Sequence, residues 1–436
     1  ELGRGPNPGP IHLNVPLSGR FDALETKGEP SAGTRAVVAE LRERTNAVLA
    51  EAAALQARQL AAPSRIAALA TTLPLRRGLR GVIIAGPECG VDVAVLESFC
   101  ASTGYPVIAD AASGLRGSTR IDAMSGYDAL VARCAYTHVA PDFVIRFGHA
   151  PVMPCVQDYL LTYQVPTLKC SPVEVVGDYL HSKCSVLVAP TANELTELAA
   201  RLGPGAPEWR EMWKTQASGV RNLRNVLMDH LLWGELSAVR AVFAHPGFDL
   251  LQIGNSMAVR HADMMEDGKT RRSHVLSNRG VCGIDGTVGG FLGAAQATGC
   301  EAGLLVLGDL AMLHDLPALA TAQRHAGSAC IVVVNNEGGG IFDMLPMRSL
   351  ADFSAIRNSH EVDFCAIAAG FGLSNACVKD AQSLQTALDA ACQHQGVSLI
   401  EIKVKPDSAR EQVEVVHSTL ALLDAPLAPA SGGKAA

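Results

Sequence analysis

Residues 304–342 read LLVLGDLAMLHDLPALATAQRHAGSACIVVVNNEGGGIF. One apolar run, Leu304 to Leu307, ends in Gly308-Asp309, and a second, Ile331 to Val334, ends in Asn335-Asn336-Glu337 and three glycines. Between them Met312, Leu316, Leu319 and Ala322 recur at helical spacing. Two short apolar runs joined by a helix read as a βαβ unit, so the two strands are expected to be parallel. In open parallel sheets, ligands lie outside the carboxyl ends of the strands. Asp309 and Asn336 both stand at such ends. A carboxylate and an amide carbonyl are hard oxygen donors, suited to Mg²⁺ or Ca²⁺. The glycines after Asn336 let backbone groups come close to a ligand. Either half alone reads as an ordinary strand end with a capping Asp or an Asn-Asn turn. Together they read as a divalent-cation site holding a phosphate-bearing cofactor.

Two further loops have the same character. Leu250 to Arg260, LLQIGNSMAVR, is an apolar strand ending in Gly254-Asn255-Ser256 and followed by a helix. Ser256 reads as a helix cap near N–H groups that also suit phosphate. Arg260 follows one turn later and so can share its face, as a bidentate carboxylate ligand or as a solvent-facing charge. Ser277 to Thr287, SNRGVCGIDGT, spaces Gly280, Gly283 and Gly286 too densely for a regular helix. Arg279 enters this loop as a second candidate anion clamp. Ile284 sits between two glycines, either as a loop anchor in the core or as a ligand contact.

The rest of the chain bounds the fold. Its 436 residues suffice for two or three domains, and at 48% hydrophobic and 18% charged it can bury large cores. A net charge of -7 without a basic cluster argues against a nucleic-acid partner, and no apolar stretch reaches the length of a membrane span. Twelve scattered cysteines without a C-x-x-C pair read as buried thiols of a reducing compartment. Glu1 to Leu17 resembles the end of a domain, and Ser18 to Gly33 a linker. Thr34 to Leu60 has helical composition. Strands are expected in Gly81 to Gly90 (ending in a turn), Tyr105 to Asp110, Asp142 to Phe147, Val165 to Lys169 and Ser185 to Val188, with helices at Val91 to Ser102 and Tyr127 to Ala135. That alternation predicts a parallel α/β domain. No G-x-G-x-x-G follows any of its strands, so the domain reads as structural rather than dinucleotide-binding. Gly268-Lys269-Thr270 is not a P-loop, because Asp263 stands where the loop needs Gly. Ala206 to Phe243 reads as one helical run with Trp209, Trp213 and Trp233 in the core. After residue 342, helices are expected at Asp363 to Phe371, Ala381 to Cys392 and Arg410 to Leu422, a strand at Val397 to Val404, and disorder from Ala425.

The Gly-Asp followed 27 residues later by Asn resembles the diphosphate-binding signature of thiamine-diphosphate enzymes. With GNSMAVR, SNRGVCGIDG, GDLAMLHDL and VVNNEGGGIF in this order, the chain looks like one branch of that group, the synthase family of the menaquinone and phylloquinone pathway. The resemblance implies an α/β fold of two doubly wound parallel-sheet domains preceded by a remnant of a third. The corresponding divisions are 1–32 (end of a pyrimidine-binding domain plus linker), 33–205 (central domain), 206–424 (diphosphate-binding domain) and 425–436 (tail). It also implies thiamine-diphosphate-dependent decarboxylation of 2-oxoglutarate and addition of the resulting carbanion to isochorismate, giving 2-succinyl-5-enolpyruvyl-6-hydroxy-3-cyclohexene-1-carboxylate.

Carried over by position, Asp309, Asn336 and the Gly338 carbonyl would hold Mg²⁺ or Mn²⁺. Asn255, Ser256, Gly283, Ile284, Gly308, Leu310, Ile341 and Phe342 would contact the cofactor, with Ile284 bending it into a V. Ser256, Arg260 and Arg279 would meet the carboxylate substrates. The family's cofactor-activating Glu belongs to the first domain, so these residues alone are expected to be incomplete, and a homodimer or tetramer is expected. The family's basic residues after Phe147-Gly148 are replaced here by HAPVMPCVQ, which removes an expected substrate contact at Met153-Pro154. Bacterial cytoplasm and plastid stroma both fit. Two other readings stand beside this one: an acetolactate synthase-like 2-oxoacid enzyme, and a non-catalytic partner lacking the activating Glu.

Overall fold

A computed structural model describes residues 65–124, 140–172, 184–265, 270, 272–279 and 282–421, with isolated helical positions between 32 and 50. The readings at Glu1 to Leu17, Ser18 to Gly33, Tyr127 to Ala135, Gly280 and the tail lie outside the described residues. Two parallel sheets, each of six strands among the described residues, make up the fold. The first holds β1 (Gly81–Ala85), β2 (Val107–Ala109), β3 (Ala123–Met124), β4 (Phe143–Phe147), β5 (Thr167–Ser171) and β6 (Cys184–Val188), in the order β3-β2-β1-β4-β5-β6. The second holds β7 (Leu250–Ile253), β8 (His274–Ser277), β9 (Ala302–Gly308), β10 (Ser328–Asn335), β11 (Ser374–Val378) and β12 (Gly396–Lys403), in the order β11-β12-β10-β9-β7-β8.

The quoted stretch is the centre of the second sheet. β10 lies between β9 and β12 in parallel register, with Val334 opposite Gly308 and Asn335 opposite Lys403. Its eight residues are all buried, as expected of a parallel strand covered on both faces. Each fully buried Val, Leu or Ile here contributes about 1.5–3 kcal/mol relative to exposure. The crossover is not one helix. Asp309–His314 is α-helical, Leu316–Ala318 is a 3₁₀ turn containing Pro317, and Leu319–Ala322 resumes. Proline has no N–H for the ladder and crowds the preceding turn, so the helix breaks there.

The first sheet reverses its strand order between β1 and β4, where such folds offer a crevice. Here backbone fills it. A Cβ on Gly86 would lie 1.8 Å from the His149 carbonyl oxygen, and one on Gly148, at φ 72°, 2.3 Å from that of Pro87.

The expected helical run Ala206 to Phe243 is two helices, Pro207–His230 and Glu235–Ala244. Gly234 caps the second, and Leu232 between them is 86% exposed. Trp209 and Trp213 are buried, and the Trp209 indole donates to the Gly81 carbonyl at 2.9 Å. Trp233 is only half-buried. Through these two tryptophans one apolar core runs from Val82, Ile84 and Val144 of the first sheet to Leu251 and Ile253 of the second. Beside it the buried Arg116 guanidinium pairs with Asp263 at 2.9 Å, and the Ala111 N–H donates to the same carboxylate.

Candidate cofactor and metal site

In the second sheet the chain steps from β7 outward to β8 and then returns to β9, on the other side of β7. The carboxyl ends of β7 and β9 therefore form its switch point, with β10 next to them. Gly254 permits the close approach there: a Cβ would lie 3.0 Å from Leu307 Cβ.

Asp309, at the end of β9, is 2% exposed. Its Oδ1 accepts the Leu310 N–H at 2.6 Å, and its Oδ2 accepts those of Gly338 at 2.9 Å and Asn336 at 3.2 Å. The carboxylate thus grips the loop after β10, and Asp309 and Asn336 lie side by side. That loop is held open by backbone in the left-handed region, Glu337 at φ 63° and Gly338 at φ 140°. A side chain at 338 would meet the Arg357 carbonyl oxygen at 2.8 Å, so glycine is required. Arg357 donates to the Asn336 and Glu337 carbonyls at 2.9 and 2.8 Å and pairs with Asp343 at 3.1 Å. The Gly338 carbonyl accepts the Gly340 N–H, and a carbonyl oxygen has a second lone pair to offer.

The Asn336 amide donates through Nδ2 to Glu235 Oε2 at 2.9 Å. Its Oδ1 is buried and has no hydrogen-bond partner. An orphaned acceptor beside a buried carboxylate and a backbone carbonyl is a set of hard oxygen donors whose chemistry fits a divalent cation. Burial pushes the Asp309 carboxyl up from its ordinary value, against the Gly338 N–H and the His360 ring. Burial also pushes Glu235 up to about 7, the Asn336 amide opposing and the Asp309 charge adding to it. Burial drives His261 down to about 3, so its ring is neutral. A divalent cation would relieve both acids.

These groups line a cavity of about 160 Å³. Ser256, Ile284, Gly308, Asp309, Leu310, Asn336, Gly338, Ile341 and Phe342 all border it. Asn255, Gly283, Arg260 and Arg279 do not. Asn255 and Gly283 brace the neighbouring loop: Asn255 Nδ2 donates to the Asn278 and Gly283 carbonyls at 2.7 and 2.6 Å, and its Oδ1 accepts from Arg279 at 2.8 Å. Arg260 folds back onto the Ser256 carbonyl at 2.7 Å; burial, then the nearby Arg279 charge, lowers its pKa. Arg279 Nε is buried and unpartnered. Both arginines are half-buried, in segments that also carry the cavity residues Ser256 and Ile284. Ser256 at φ 65° and Cys282 at φ 61° share the left-handed backbone of Glu337.

The C-terminal domain of thiamine pyrophosphate enzymes, the TPP binding domain, matches residues 256–402. A protein of Chloroflexus aurantiacus named 2-succinyl-5-enolpyruvyl-6-hydroxy-3-cyclohexene-1-carboxylate synthase is 31% identical, across 96% of this chain and 70% of its own length. The chain belongs to that synthase family. Proteins of the same name from Haloarcula marismortui and Thermosynechococcus vestitus are 32% and 30% identical, over 78% and 88% of this chain. The chain covers 60% and 66% of their lengths.

Within this synthase family's frame, the matched segment carries the strand-end loops of β9 and β10, while Glu235 reaches the cavity from outside it. Sequence reasoning missed Glu235, His261, Arg357 and His360. His360 Nε2 lies 3.4 Å from Asp309 Oδ2, buried and without a hydrogen bond. The Gly in LLWGEL was a signal for the helix start that places Glu235; nothing local marks the other three. At the lost basic segment, Pro154 opens helix Pro154–Tyr163, and the Val152 N–H donates to the buried Asp110 carboxylate at 2.9 Å. Among the described residues no helix is long and apolar enough to cross a membrane.

Proposed function

We propose that this chain holds the diphosphate- and metal-binding part of a thiamine-diphosphate-dependent synthase joining 2-oxoglutarate to isochorismate with loss of CO₂. The observation that carries the reading is the orphaned, buried Asn336 Oδ1 beside Asp309, in a chain of this family. Asp309, Asn336 and the Gly338 carbonyl would hold Mg²⁺ or Mn²⁺, which neutralises a diphosphate. Bound there, thiamine diphosphate supplies an electron sink for 2-oxoacid decarboxylation. Ile284, half-buried and lining the cavity with Ile341 and Phe342, would offer apolar support to the cofactor rings. Arg260 and Arg279 bind and orient the substrate carboxylates, and Ser256 donates a hydrogen bond to a substrate oxygen. Both substrates are carboxylic acids, and two guanidiniums close to the cavity loops suit that charge. Residues 33–205 and 206–424 act as the central and diphosphate-binding domains, and residues 1–32 as the end of a pyrimidine-binding domain plus linker. The active unit is a homo-oligomer.

Calorimetry tests the first step: thiamine diphosphate with Mg²⁺ binds the wild type and not Asp309→Ala. No binding by either protein supports a non-catalytic partner instead. Consumption of 2-oxoglutarate that depends on isochorismate supports the synthase, whereas consumption of pyruvate moves the reading to an acetolactate synthase-like enzyme.

A further inference from the structure

Glu235 stands outside both the strand-end loops and the matched family segment. It opens the helix Glu235–Ala244, is 3% exposed, and reaches Asn336 across 101 positions of sequence. Its Oε2 takes the Asn336 Nδ2 hydrogen at 2.9 Å. Its Oε1 lies 3.5 Å from Nδ1 of the buried His261, on the helix Met257–Met265, which backs the acid from the other side. In its ionised form the Glu235 carboxylate accepts and cannot donate, so only the NH₂ end of Asn336 can turn toward it. The amide oxygen then faces away, and that is where Oδ1 lies, buried and unpartnered.

We propose that Glu235 is a positioning residue that fixes the rotation of the Asn336 amide and so presents its oxygen to the divalent cation. This rests on the metal reading above. It also explains the residue type at 336. An aspartate there would be an acceptable ligand for a hard cation, but it would set a second acid against Glu235 where the amide now donates. The Glu235 carboxylate therefore selects asparagine.

The test is a Mn²⁺ titration of the purified chain with thiamine diphosphate, read as loss of the free-Mn²⁺ electron paramagnetic resonance signal. Far-UV circular dichroism and the thermal midpoint score folding separately. Glu235→Ala is expected to weaken Mn²⁺ binding about 10–100-fold, the usual effect of removing a partner that orients a metal ligand. Glu235→Gln keeps an oxygen for the amide and is expected to stay closer to the wild type than the alanine variant. Asn336→Asp is expected to bind more weakly than the wild type despite its carboxylate. Adding Glu235→Gln to it restores affinity, because the glutamine amide can donate to Asp at 336. A folded Glu235→Ala protein within about twofold of the wild type overturns the proposal. So does an Asn336→Asp protein that binds more tightly than the wild type, and this second arm decides the matter where the alanine variant does not fold. A wild type that binds no Mn²⁺ removes the metal reading and this inference together; a wild type that binds, matched by Glu235→Ala, removes only this one.

Discussion

Replacing Arg357 by methionine is the most informative single perturbation of the loop after β10. Arg357 and Asp343 are 7% and 6% exposed, and their groups meet at 3.1 Å. The guanidinium also donates to the Asn336 and Glu337 carbonyls. Methionine has a similar length but donates nothing. It leaves a buried carboxylate without its cation and frees two carbonyls that the loop holds inward. Breaking a buried ion pair by removing one partner costs about 3–5 kcal/mol. The lost carbonyl bonds overlap with that figure, because all three contacts share one side chain. A domain of this size responds by about 2–4 °C in its midpoint for each kcal/mol. The expected fall in thermal midpoint is therefore about 6–20 °C, read by circular dichroism. The double variant Arg357→Met/Asp343→Leu replaces the pair with apolar groups and is expected to recover most of the loss. An Arg357→Met protein within about 1 kcal/mol of the wild type in denaturant unfolding would refute the account of this loop as clasped by the ion pair.

Three other perturbations test separate parts of the structure. Gly340→Ala sets a Cβ 2.4 Å from Asn336 Nδ2, and titration calorimetry is expected to show Mg²⁺ affinity about tenfold or more below wild type. The hydrogen-bonding Arg65 guanidinium holds the Glu194 carboxyl down to about 2 from an ordinary 4.5. Because the folded value is the lower one, this pair stabilises the protein above pH 4.5 and the contribution fades as pH falls toward 2. Arg65→Ala is expected to flatten that part of the stability–pH curve, and an unchanged curve would count against the assignment. Burial raises the thiols of Cys170 and Cys330, whereas Cys282 and Cys377 are exposed. Iodoacetamide labelling followed by mass spectrometry is expected to reach Cys282 and Cys377 first, and the buried pair only in denaturant.

The strands that sequence reading located most plainly are those whose apolar runs are continuous and end in Gly, Asn or Asp, as in β1, β9 and β10. Such runs arise because both faces of a parallel strand are covered. It missed β3, β8 and β11, at sheet edges. HVLS and SNACV carry polar residues because one side meets water. Helix Thr287–Thr298 was hidden by Gly289 and Gly290. Helix Ala192–Leu202 was announced by the Thr191–Glu194 capping box, a signal that went unread. In the site, the residues that sit on strand-end loops were legible, since strand, turn and glycine are adjacent in sequence. Glu235, His261, Arg357 and His360 were not, because they arrive through contacts set by helix packing. Asn255 and Gly283, expected as cofactor contacts, also tie one loop to another. Sequence proximity to a ligand loop does not say which way a side chain turns.

The left-handed backbone at Ser256, Cys282 and Glu337 has a consequence for how this fold can change. None of the three is glycine, and each conformation of that kind costs on the order of 1 kcal/mol or more. All three fall in loops at the carboxyl ends of the second sheet's strands, while the strands beneath them are regular. Stability and specificity are thus separable in this molecule. Glycine at any of the three would relax the chain and firm up the fold, but would release the curvature that aims the neighbouring donors. An engineer seeking a hardier protein would be drawn to those positions first, and would lose selectivity there first.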